Sequence, residues 1–351
     1  MKVLVTGGAG FIGSHVAEYY AMKTSEVIVF DNISRVEILG KCAGDPLYNW
    51  SYLKTNYRKA KLVKGDVRSF EEVKAVSKDV DTIVHTAAQV AVTTSLSDPR
   101  TDFEINAVGT FNVLEAARLN DAVLIFCSTN KVYGENVNKI PVKEEGKRYC
   151  FADERYRNGI PEKFPIDLCG HSPYGCSKLA ADIYVQDYAH TYGLKTGVFR
   201  MSCIYGERQF GVEDQGWVAW FVIATLTNRP VTIYGDGKQV RDVLYISDLI
   251  EALDSFLESS LKHEVFNIGG GPNNTLSLLE LLNLLEKLIG RIPKVNYSNW
   301  RPADQKVYIS DISKAEKLLR WRAKVSPEEG LRRLVNWVSK NVALFNGGYK
   351  V

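Results

Sequence analysis

The chain has no long hydrophobic segment and no marked excess of one charge. No apolar run approaches the ~18 residues of a membrane-spanning helix, so we expect no membrane span. Lys and Arg together number 44, Asp and Glu number 41, and the net charge is +3. Because nucleic-acid binding relies on a clustered basic excess, this balance argues against a nucleic-acid partner.

The sequence also has no closely spaced pair of cysteines. Its six cysteines, Cys42 among them, contain no CxxC motif. We therefore expect neither a metal site nor a disulfide scaffold, and free thiols favour a reducing, cytoplasmic location. The strand-like residues 1–5 leave no room for a signal peptide, so none is expected.

What is present is typical of a globular protein with a large core. Hydrophobic residues make up 45% and charged residues 24% of the chain, which excludes a disordered or fibrous protein. The length of 351 residues suggests roughly two domains.

Short apolar segments alternate with amphipathic ones over the first 200 residues. The predicted strands are rich in Val, Ile and Leu, as strands buried on both faces are; they are 2–6, 27–30, 61–64, 82–85, 123–127 and 196–200. Helical patterns lie at 10–22, 71–77, 101–119 and 173–192. This alternation predicts an α/β fold with a Rossmann-type, doubly wound parallel sheet.

After about residue 206 the strands become shorter and the helices more separated. The clearest helical patterns there are 217–227, 246–259, 277–289 and 327–341. We expect a first domain over residues 1–200 and a smaller C-terminal α/β lobe over 201–351, with some segments of the lobe returning to the first domain. The irregular, polar segment 135–169 is long enough to be functional or mobile.

Glycines 7, 10 and 13 form a GxxGxxG motif directly after the first predicted strand and at the start of the first predicted helix. Such glycines let the chain turn sharply and let a pyrophosphate approach backbone N–H groups. No Gly-Lys-Ser/Thr follows, so the loop is not a Walker A motif. In this context the motif predicts dinucleotide binding rather than a plain glycine-rich turn.

Asp31 ends the second predicted strand. A carboxylate there accepts hydrogen bonds from the adenosine ribose hydroxyls and repels a 2′-phosphate, which favours NAD over NADP. Arg35 lies nearby and leaves NADP open. A strand-end cap is the alternative role for Asp31.

Tyr174 and Lys178 are four residues apart and share a face of the predicted helix 173–192. A free phenol titrates near ~10. A neighbouring ammonium and an oxidised nicotinamide both stabilise phenolate, so Tyr174 can act as a base near neutral pH. Lys178 can also hold the nicotinamide ribose, and Thr129, at the end of the fifth strand, can hold the substrate oxygen. YxxxK alone is common, but the ordered set predicts NAD-dependent oxidation chemistry.

The whole pattern resembles the extended short-chain dehydrogenases/reductases that act on nucleotide sugars. The resemblance runs from TGGAGFIG (6–13) through STNKVYG (128–134), SPYGCSK (172–178) and YGDGKQVRDVLYI (234–246) to RPAD (301–304). Within that superfamily HTAAQVAVTTS (85–95), STNKVYG, HSPYGCSK (171–178) and DQGWVAWF (214–221) are most similar to the CDP-paratose (CDP-tyvelose) 2-epimerases. Galactose 4-epimerases differ at the first and last of these segments.

One departure within the resemblance bears on the reaction. Sugar 4,6-dehydratases carry acidic residues just after the strand 5 hydroxyl, where this chain has Asn130 and Lys131. The resemblance therefore implies epimerisation by transient oxidation, at C2 of a CDP-paratose- or CDP-glucose-type substrate. UDP-glucose/galactose 4-epimerisation, net reduction or dehydrogenation, and a non-catalytic NAD-sensing role stay open as alternatives.

The resemblance and the strand-end positions together imply the site residues. For the cofactor, NAD, they are Gly7, Gly10, Phe11, Ile12, Gly13, Asp31, Asn32, Arg35, Asp66, Val67, Ala87, Ala88, Gln89, Asn106, Tyr174 and Lys178. For the nucleotide sugar they are Thr129, Asn130, Lys131, Gln209, Gln215, Tyr234, Arg241 and Arg301, the two arginines matching the family's diphosphate ligands. The catalytic residues are Thr129, Tyr174 and Lys178.

The resemblance also implies an assembly and a division of labour. Relatives usually pair as homodimers through helices that include the YxxxK helix, so we expect a homodimer. Residues 1–200 would bind NAD and carry the catalytic Tyr/Lys helix, and residues 201–351 would mainly bind the nucleotide sugar. The expected substrate is a CDP-sugar, with a UDP-sugar as the other option.

Overall fold

The structure is a computed structural model that describes residues 1–24, 26–40, 44–301 and 304–346. Cys42, Pro302 and Ala303, which belong to the predictions above, lie outside the described residues. The strands are β1 (Lys2–Thr6), β2 (Glu26–Asp31), β3 (Ala60–Lys64), β4 (Thr82–His85), β5 (Val123–Thr129), β6 (Val142–Glu145), β7 (Arg148–Phe151), β8 (Thr196–Met201), β9 (Cys203–Tyr205), β10 (Val231–Tyr234), β11 (Val240–Tyr245), β12 (His263–Ile268), β13 (Thr275–Ser277), β14 (Val295–Ser298) and β15 (Val307–Tyr308).

The α-helices are α1 (Phe11–Lys23), α2 (Arg35–Leu39), α3 (Tyr48–Asn56), α4 (Phe70–Val76), α5 (Val92–Ser97), α6 (Pro99–Phe103), α7 (Gly109–Asn120), α8 (Ser172–Tyr192), α9 (Trp217–Leu226), α10 (Ile246–Glu258), α11 (Leu278–Ile289), α12 (Ser313–Leu319), α13 (Pro327–Lys340) and α14 (Ala343–Asn346). A π-helix (Glu104–Val108) joins α6 to α7, and 3₁₀ segments cover Asn130–Lys139 and Glu154–Tyr156.

Seven parallel strands form the main sheet in the order β12-β8-β5-β4-β1-β2-β3. From β1 the chain adds β2 and β3 on one side, and then crosses to the other side for β4, β5 and β8. Such a reversal opens a crevice at the carboxyl ends of the strands. Thr6 pairs with Phe30 of β2 and His85 of β4, which places those three strand ends side by side. The predicted Rossmann-type sheet is confirmed.

Helices cover both faces of this sheet, as strands that are apolar at successive positions require. On one face α1 and α10 contribute Val16 and Leu253 to a buried core. On the other, α4, α7 and α8 contribute Val73, Leu114 and Val185 to a second core. The strands therefore stand between two apolar layers and hold their carboxyl ends rigidly.

The segment 135–169, expected to be irregular, contains a strand pair. β6 and β7 form an antiparallel hairpin there. Its residues are mostly exposed or half-buried and the Tyr149 N–H donates to Lys238 O at 2.9 Å, so the hairpin is fixed by distant backbone rather than by an apolar face. Such a strand pair leaves little hydrophobic periodicity to detect.

The second half of the chain adds one strand to the main sheet and forms small sheets of its own. β12 completes the main sheet beside β8. The other strands after residue 202 form small sheets, β10 with β14, and β11 with β9, β13 and β15. The division at residue 200 stays a prediction.

Two absences concern only the ranges that the structure describes. No helix there has both the length and the apolar character that crossing a bilayer demands. Within the same ranges no group of three or more His, Cys, Asp or Glu side chains is placed to hold a metal ion. The thiols of Cys127, Cys150, Cys169, Cys176 and Cys203 are free.

His85, buried at the end of β4, should make the fold sensitive to acid. Its Nδ1 lies 2.6 Å from Thr6 Oγ1 and its Nε2 3.0 Å from Thr110 Oγ1. Burial, reinforced by the Lys178 charge, lowers the pKa of His85 to about 3, against ~6.5 for an unfolded chain. Between these values only the unfolded state takes up the proton, so the stability that neutral His85 provides is lost as the pH falls below 6.5.

We therefore expect His85→Gln, which keeps a donor and an acceptor, to flatten the acid limb of the stability curve. The wild-type free energy of unfolding should fall by about 2 kcal/mol more than that of the variant between pH 7 and pH 5. Urea unfolding at a series of pH values measures this difference. Parallel curves for the two proteins would contradict it.

Candidate active site

The loop between β1 and α1 forms a cradle in which side chains have no room. Gly7 has φ +70°, and a Cβ there would lie 2.5 Å from the Ala87 nitrogen. A Cβ on Gly13 would overlap Gly7 O. The Gly10 N–H bonds to Gly7 O at 3.0 Å and closes the turn. The cradle can thus admit a phosphate close to the backbone at the start of α1.

Asp31 lies beside this cradle at the carboxyl end of β2. Its carboxylate accepts hydrogen bonds from the backbone N–H groups of Ala9 at 2.9 Å and Ile33 at 2.7 Å. Burial raises the pKa of Asp31, and those two hydrogen bonds oppose the rise. The neighbouring Asn32 donates to Asp66 at 2.9 Å, which joins the ends of β2 and β3.

One cleft at the reversal of the sheet gathers most of the predicted cofactor residues. Its lining includes Gly7, Gly10, Phe11, Ile12, Gly13, Asp31, Asn32, Arg35, Asp66, Val67, Ala87, Ala88 and Gln89, and also Gln209 and Gln215. Its empty volume is about 1400 Å³, part of which is the open mouth. These features fit NAD. The cradle without side chains can take its pyrophosphate, and Asp31 lies where it can bind the hydroxyls of a ribose beside it.

The cleft brings together residues that are far apart in the sequence. Arg35 donates to Phe210 O at 2.9 Å and to Gln215 Oε1 at 3.0 Å. Gln209 and Gln215, predicted to contact substrate, therefore line the same cleft as Asp31. The segment around residues 208–215 forms its far wall.

Two residues that line this cleft were missed by sequence reasoning. Arg208 is buried, has a backbone φ of +60°, and forms an ion pair with Glu18 of α1. Asn49 of α3 donates weakly to Gly10 O, and its buried Oδ1 has no partner. Neither residue belongs to a recognisable motif, and the only available signal for Arg208 was its position beside Gln209.

Tyr174 and Lys178 lie on the first two turns of α8, next to the end of β5. Burial raises the pKa of Tyr174 to about 12, and a hydrogen bond with Thr129 opposes the rise. Lys178 Nζ donates to Cys127 O at 2.7 Å and lies 4.1 Å from the centre of the Phe126 ring. Burial lowers the pKa of Lys178 to about 8. The structure thus joins all three predicted catalytic residues in one place.

A buried hydrogen-bond network fixes α8 against the end of β4. Asn106, in the π-helix, accepts from the Gln89 N–H at 2.9 Å and donates to Gln89 O at 3.1 Å. Asp102 accepts from Gln89 Nε2 at 2.7 Å and from the hydroxyl of Ser177 at 2.5 Å. Ser177 precedes Lys178, so the network sets the position of the catalytic pair. Asp102 was not predicted.

Arg241 and Arg301 form a basic cluster that is linked through Asp304, whose N–H donates to Arg301 O at 3.3 Å. Arg241 forms an ion pair with Asp304 at 2.6 Å, and Arg301 with Asp214 at 3.0 Å. The Arg301 guanidinium also lies 4.0 Å from the centre of the Tyr234 ring. The predicted diphosphate ligands therefore already have carboxylate partners, which a diphosphate would replace or share.

Lys131 faces the same basic cluster. Burial lowers its pKa, and the positive charge of Arg241 lowers it further. The preceding Asn130 lies beside the Thr129 hydroxyl, with Oδ1 3.4 Å from Oγ1. An amide and an ammonium group thus follow Thr129, and neither of these two positions carries a carboxyl group.

The parallel sheet, the glycine cradle, the acid at the end of β2 and the Tyr–Lys pair define a dinucleotide-dependent enzyme that oxidises a bound hydroxyl group or reduces a bound carbonyl group. A model of the family described as the NAD dependent epimerase/dehydratase family matches residues 3–269. The chain belongs to this family, and its cofactor is NAD. The predicted resemblance to extended short-chain dehydrogenases/reductases of the nucleotide-sugar type is confirmed.

Individual relatives agree with this assignment along nearly the whole chain. The chain is 43% identical to a CDP-paratose 2-epimerase of Salmonella typhi, over 97% of this chain and 99% of that protein. It is 33% identical to a putative UDP-glucose 4-epimerase of Methanocaldococcus jannaschii, over 97% and 99% of the two chains.

Solved structures also match. A UDP-glucose 4-epimerase of Thermotoga maritima, solved with UDP-glucose, aligns with a TM-score of 0.80 and 32% identity, over 97% of this chain and 100% of that one. A UDP-glucuronic acid 4-epimerase of Bacillus cereus, solved with UDP-glucuronic acid and NAD, aligns with a TM-score of 0.80 and 28% identity over the same shares.

Proposed function

We propose that the protein epimerises the sugar of a CDP-linked nucleotide sugar at C2, with CDP-paratose- or CDP-glucose-type molecules as substrates. The observation that carries this proposal is the complete set of Thr129, Tyr174 and Lys178 beside Asn130 and Lys131. The 43% identity to a CDP-paratose 2-epimerase supports the choice of base and carbon.

The residues divide the work as follows. NAD, held by the glycine cradle and Asp31, would supply a nicotinamide able to take up a hydride from the sugar carbon and to give it back. Tyr174 takes the proton of the C2 hydroxyl and gives it back to the ketone oxygen, while Thr129 holds that oxygen by a hydrogen bond. Lys178 stabilises the phenolate of Tyr174 through its positive charge. Between the two proton transfers the 2-keto sugar turns over in the pocket.

The residues after β5 support epimerisation over water elimination. Dehydration requires an acid for the leaving hydroxyl and a base for the neighbouring carbon. The Asn130 amide is neither an acid nor a base near neutral pH, and Lys131 offers one ionisable group where dehydration requires two. Hydride removal and return require neither group.

We assign the nucleotide sugar to the region between Thr129 and the basic cluster. Arg241 and Arg301 would hold the diphosphate, since guanidinium groups match phosphate oxygens in pairs. Tyr234, under the Arg301 guanidinium, would border the nucleoside. Gln209 and Gln215, which line the cofactor cleft, would then contact NAD as well as the nucleotide sugar.

Incubating the purified protein with CDP-paratose, CDP-glucose and UDP-glucose, and analysing the sugars, tests the proposal. We expect C2 epimers from the CDP-sugars without net formation or consumption of NADH. Conversion of UDP-glucose alone would instead establish a UDP-sugar 4-epimerase, the alternative that the Methanocaldococcus relative supports. Stoichiometric consumption of NADH would show a reductase and overturn the proposed cycle.

Asp31 should decide the choice of dinucleotide. Replacing it with serine removes the carboxylate that would bind the ribose hydroxyls and repel a 2′-phosphate. We expect Asp31→Ser to bind NAD about tenfold more weakly and to raise the affinity for NADP relative to NAD. Titration with each dinucleotide measures the ratio. An unchanged ratio would leave Asp31 only its hydrogen bonds to Ala9 and Ile33.

We also propose that two copies pair through α7 and α8. Their outer faces expose large apolar side chains, including Phe111, Ile183 and Tyr184, and the last two are about half exposed. The Phe111 and Tyr184 rings lie 5.8 Å apart, so they form one patch. Exposed apolar patches of this kind mark association surfaces.

The double variant Phe111→Glu/Tyr184→Glu places charges in this patch. We expect wild-type protein to sediment as a dimer and the variant as a folded monomer, because an unpaired charge in a closed interface is costly. Variants at Met22 and Tyr297, which are exposed elsewhere, should remain dimeric. A monomeric wild type at micromolar concentration would refute the pairing.

The cytoplasm is the proposed location. The free thiols of the described residues, such as Cys127 and Cys176, are compatible with a reducing compartment. Fractionation of cells that produce the protein tests this location.

A further inference from the structure

A small polar pocket lies beyond Thr129, outside the dinucleotide cleft. Lys131 and Gly134 line it on one side, His171 at the start of α8 on another, and Gln305 from the C-terminal half closes it. None of these residues lines the dinucleotide cleft. The pocket is therefore distinct from the cleft that holds the glycine cradle, and Lys131 and His171 each lie within three residues of a predicted catalytic residue in the sequence.

Gln305 presents an unsatisfied acceptor to this pocket. Its side chain is only 2% exposed. Its Nε2 donates to Gly134 O at 3.2 Å, which fixes the orientation of the amide, and its Oε1 is buried without a partner. Buried carbonyl oxygens almost always have a donor, so this atom is prepared for one.

His171 presents a second acceptor. Its Nε2 lies 2.7 Å from Ile166 O and must donate to that carbonyl, since a carbonyl only accepts. A neutral imidazole then has its lone pair on Nδ1. Nδ1 is buried without a partner, so the ring is held with its accepting nitrogen unsatisfied.

Lys131 supplies the complementary donor, because its ammonium group can only donate. A hydroxyl group fits this set, because its oxygen can accept from Lys131 while its single hydrogen donates to Gln305 Oε1 or His171 Nδ1. The exposed carboxylate of Glu135 also borders the pocket. A ketone or a phosphate would satisfy Lys131 but leave both acceptors unsatisfied. A methyl group would satisfy none of the three groups.

We propose that Gln305 and His171 form a subsite that recognises a non-reacting hydroxyl of the sugar ring and so determine which sugars are accepted. This inference rests on the proposed function, since it takes the sugar to lie between Tyr174 and the basic cluster. Two neighbours in the sequence support the placement. Lys131 follows the Thr129–Asn130 pair, and Gln305 follows Asp304, the partner of Arg241. The pocket is therefore tied to both ends of the proposed sugar site.

Gln305→Met tests the subsite, because methionine keeps the length of the side chain and removes the acceptor. We expect the KM for the CDP-sugar to rise about tenfold, the size of one lost hydrogen bond together with an unsatisfied partner. The inhibition constant of CDP, which has no sugar hydroxyls, should stay within twofold of wild type.

His171→Gln provides an independent variant. A glutamine amide can still donate to Ile166 O where Nε2 does, but it places no acceptor at the position of Nδ1. We expect the same selective loss for the sugar substrate. Gln239 offers a matched control, since it is buried with Nε2 donating to Tyr234 O at 2.7 Å and an Oε1 without a partner, but it lies outside the pocket. The effect of Gln239→Met on the unfolding temperature measures the cost of deleting such an amide.

The outcomes separate the subsite from the proposed function. If the wild type turns over only UDP-sugars, the CDP assignment fails, and the same comparison with UDP and the UDP-sugar still decides the subsite. Equal weakening of the bare nucleotide and the nucleotide sugar would show that Gln305 acts only through Asp304 and Arg241. Unchanged constants in folded variants, or a wild type that binds no nucleotide sugar, would also overturn the subsite.

Discussion

Tyr174→Phe is expected to reduce epimerisation by at least about 10³-fold while NAD stays bound. The change removes one hydroxyl and leaves the ring, which is buried beside Thr129. General acid–base catalysis contributes ~10²–10⁴-fold, and in this site one group performs both proton transfers. The glycine cradle and Asp31, which we assign to the rest of the dinucleotide, are untouched. Sugar analysis after incubation gives the rate, and the absorbance of the purified variant gives its NAD content.

The same helix offers a matched control for this substitution. Tyr188 also lies on α8, and its hydroxyl donates to Glu115 at 2.7 Å, away from the cleft. Tyr188→Phe removes an identical atom and should turn over substrate at the wild-type rate. Near-wild-type turnover by Tyr174→Phe would transfer the proton chemistry to another group and remove Tyr174 from the mechanism.

The parts of the site that could be predicted from the sequence are those formed by residues only a few positions apart. The spacing of Gly7, Gly10 and Gly13 reflects a positive φ and close backbone approaches that only glycine tolerates. The spacing of Tyr174 and Lys178 reflects one turn of helix. Six of the seven strands of the main sheet were equally visible, because burial on both faces favours apolar residues at successive positions. β12 was not predicted.

The rest depends on contacts between distant segments, which a single sequence does not display. Arg35 meets Gln215 across the mouth of the cleft, 180 positions along the chain. Gln305 meets Gly134 after 171 positions, and both residues lie in polar surroundings without periodicity. Asp102 was missed for a related reason, since an acid on a helix is most often a solvated one. The missed residues are polar groups whose partners come from another part of the fold.

Lys178→Met is expected to reduce turnover by about 10²–10³-fold and also to stabilise the cofactor-free protein. Burial raises the pKa of Tyr174 to about 12. We expect the loss of activity because the positive charge of Lys178, one helical turn away, would stabilise the Tyr174 phenolate. The residual activity should rise with pH, since hydroxide must then replace the missing charge. Replacement also removes the proposed contact with the nicotinamide ribose, so NAD should bind more weakly.

The gain in stability follows from the sign of the Lys178 shift. Burial lowers the pKa of Lys178 to about 8 in the folded chain, against ~10.4 when unfolded. Below pH 8 Lys178 is charged in both the folded and the unfolded chain, so the full cost of burying the charge opposes folding. Between pH 8 and ~10.4 the unfolded chain binds more protons than the folded one, so the free energy of unfolding rises with pH. Methionine removes that cost but also the hydrogen bond to Cys127 O. We expect the variant to be more stable than wild type by about 1–2 kcal/mol at pH 7, and by less at pH 10.

Lys195 provides the comparison that isolates the catalytic role. Its Nζ also donates to backbone carbonyls, those of Leu257 and Ser259, and burial also lowers its pKa, but it lies far from Tyr174 in the fold. Lys195→Met should leave turnover and its pH dependence at wild-type values. If Lys178→Met retained the wild-type rate, the charge of Lys178 would not be what activates Tyr174. If the variant unfolded more easily than wild type at pH 7, the cost of burying the charge would be smaller than the contribution of the hydrogen bond to Cys127 O. A variant that is stabler but inactive would show that the fold keeps a destabilising charge because the reaction requires it.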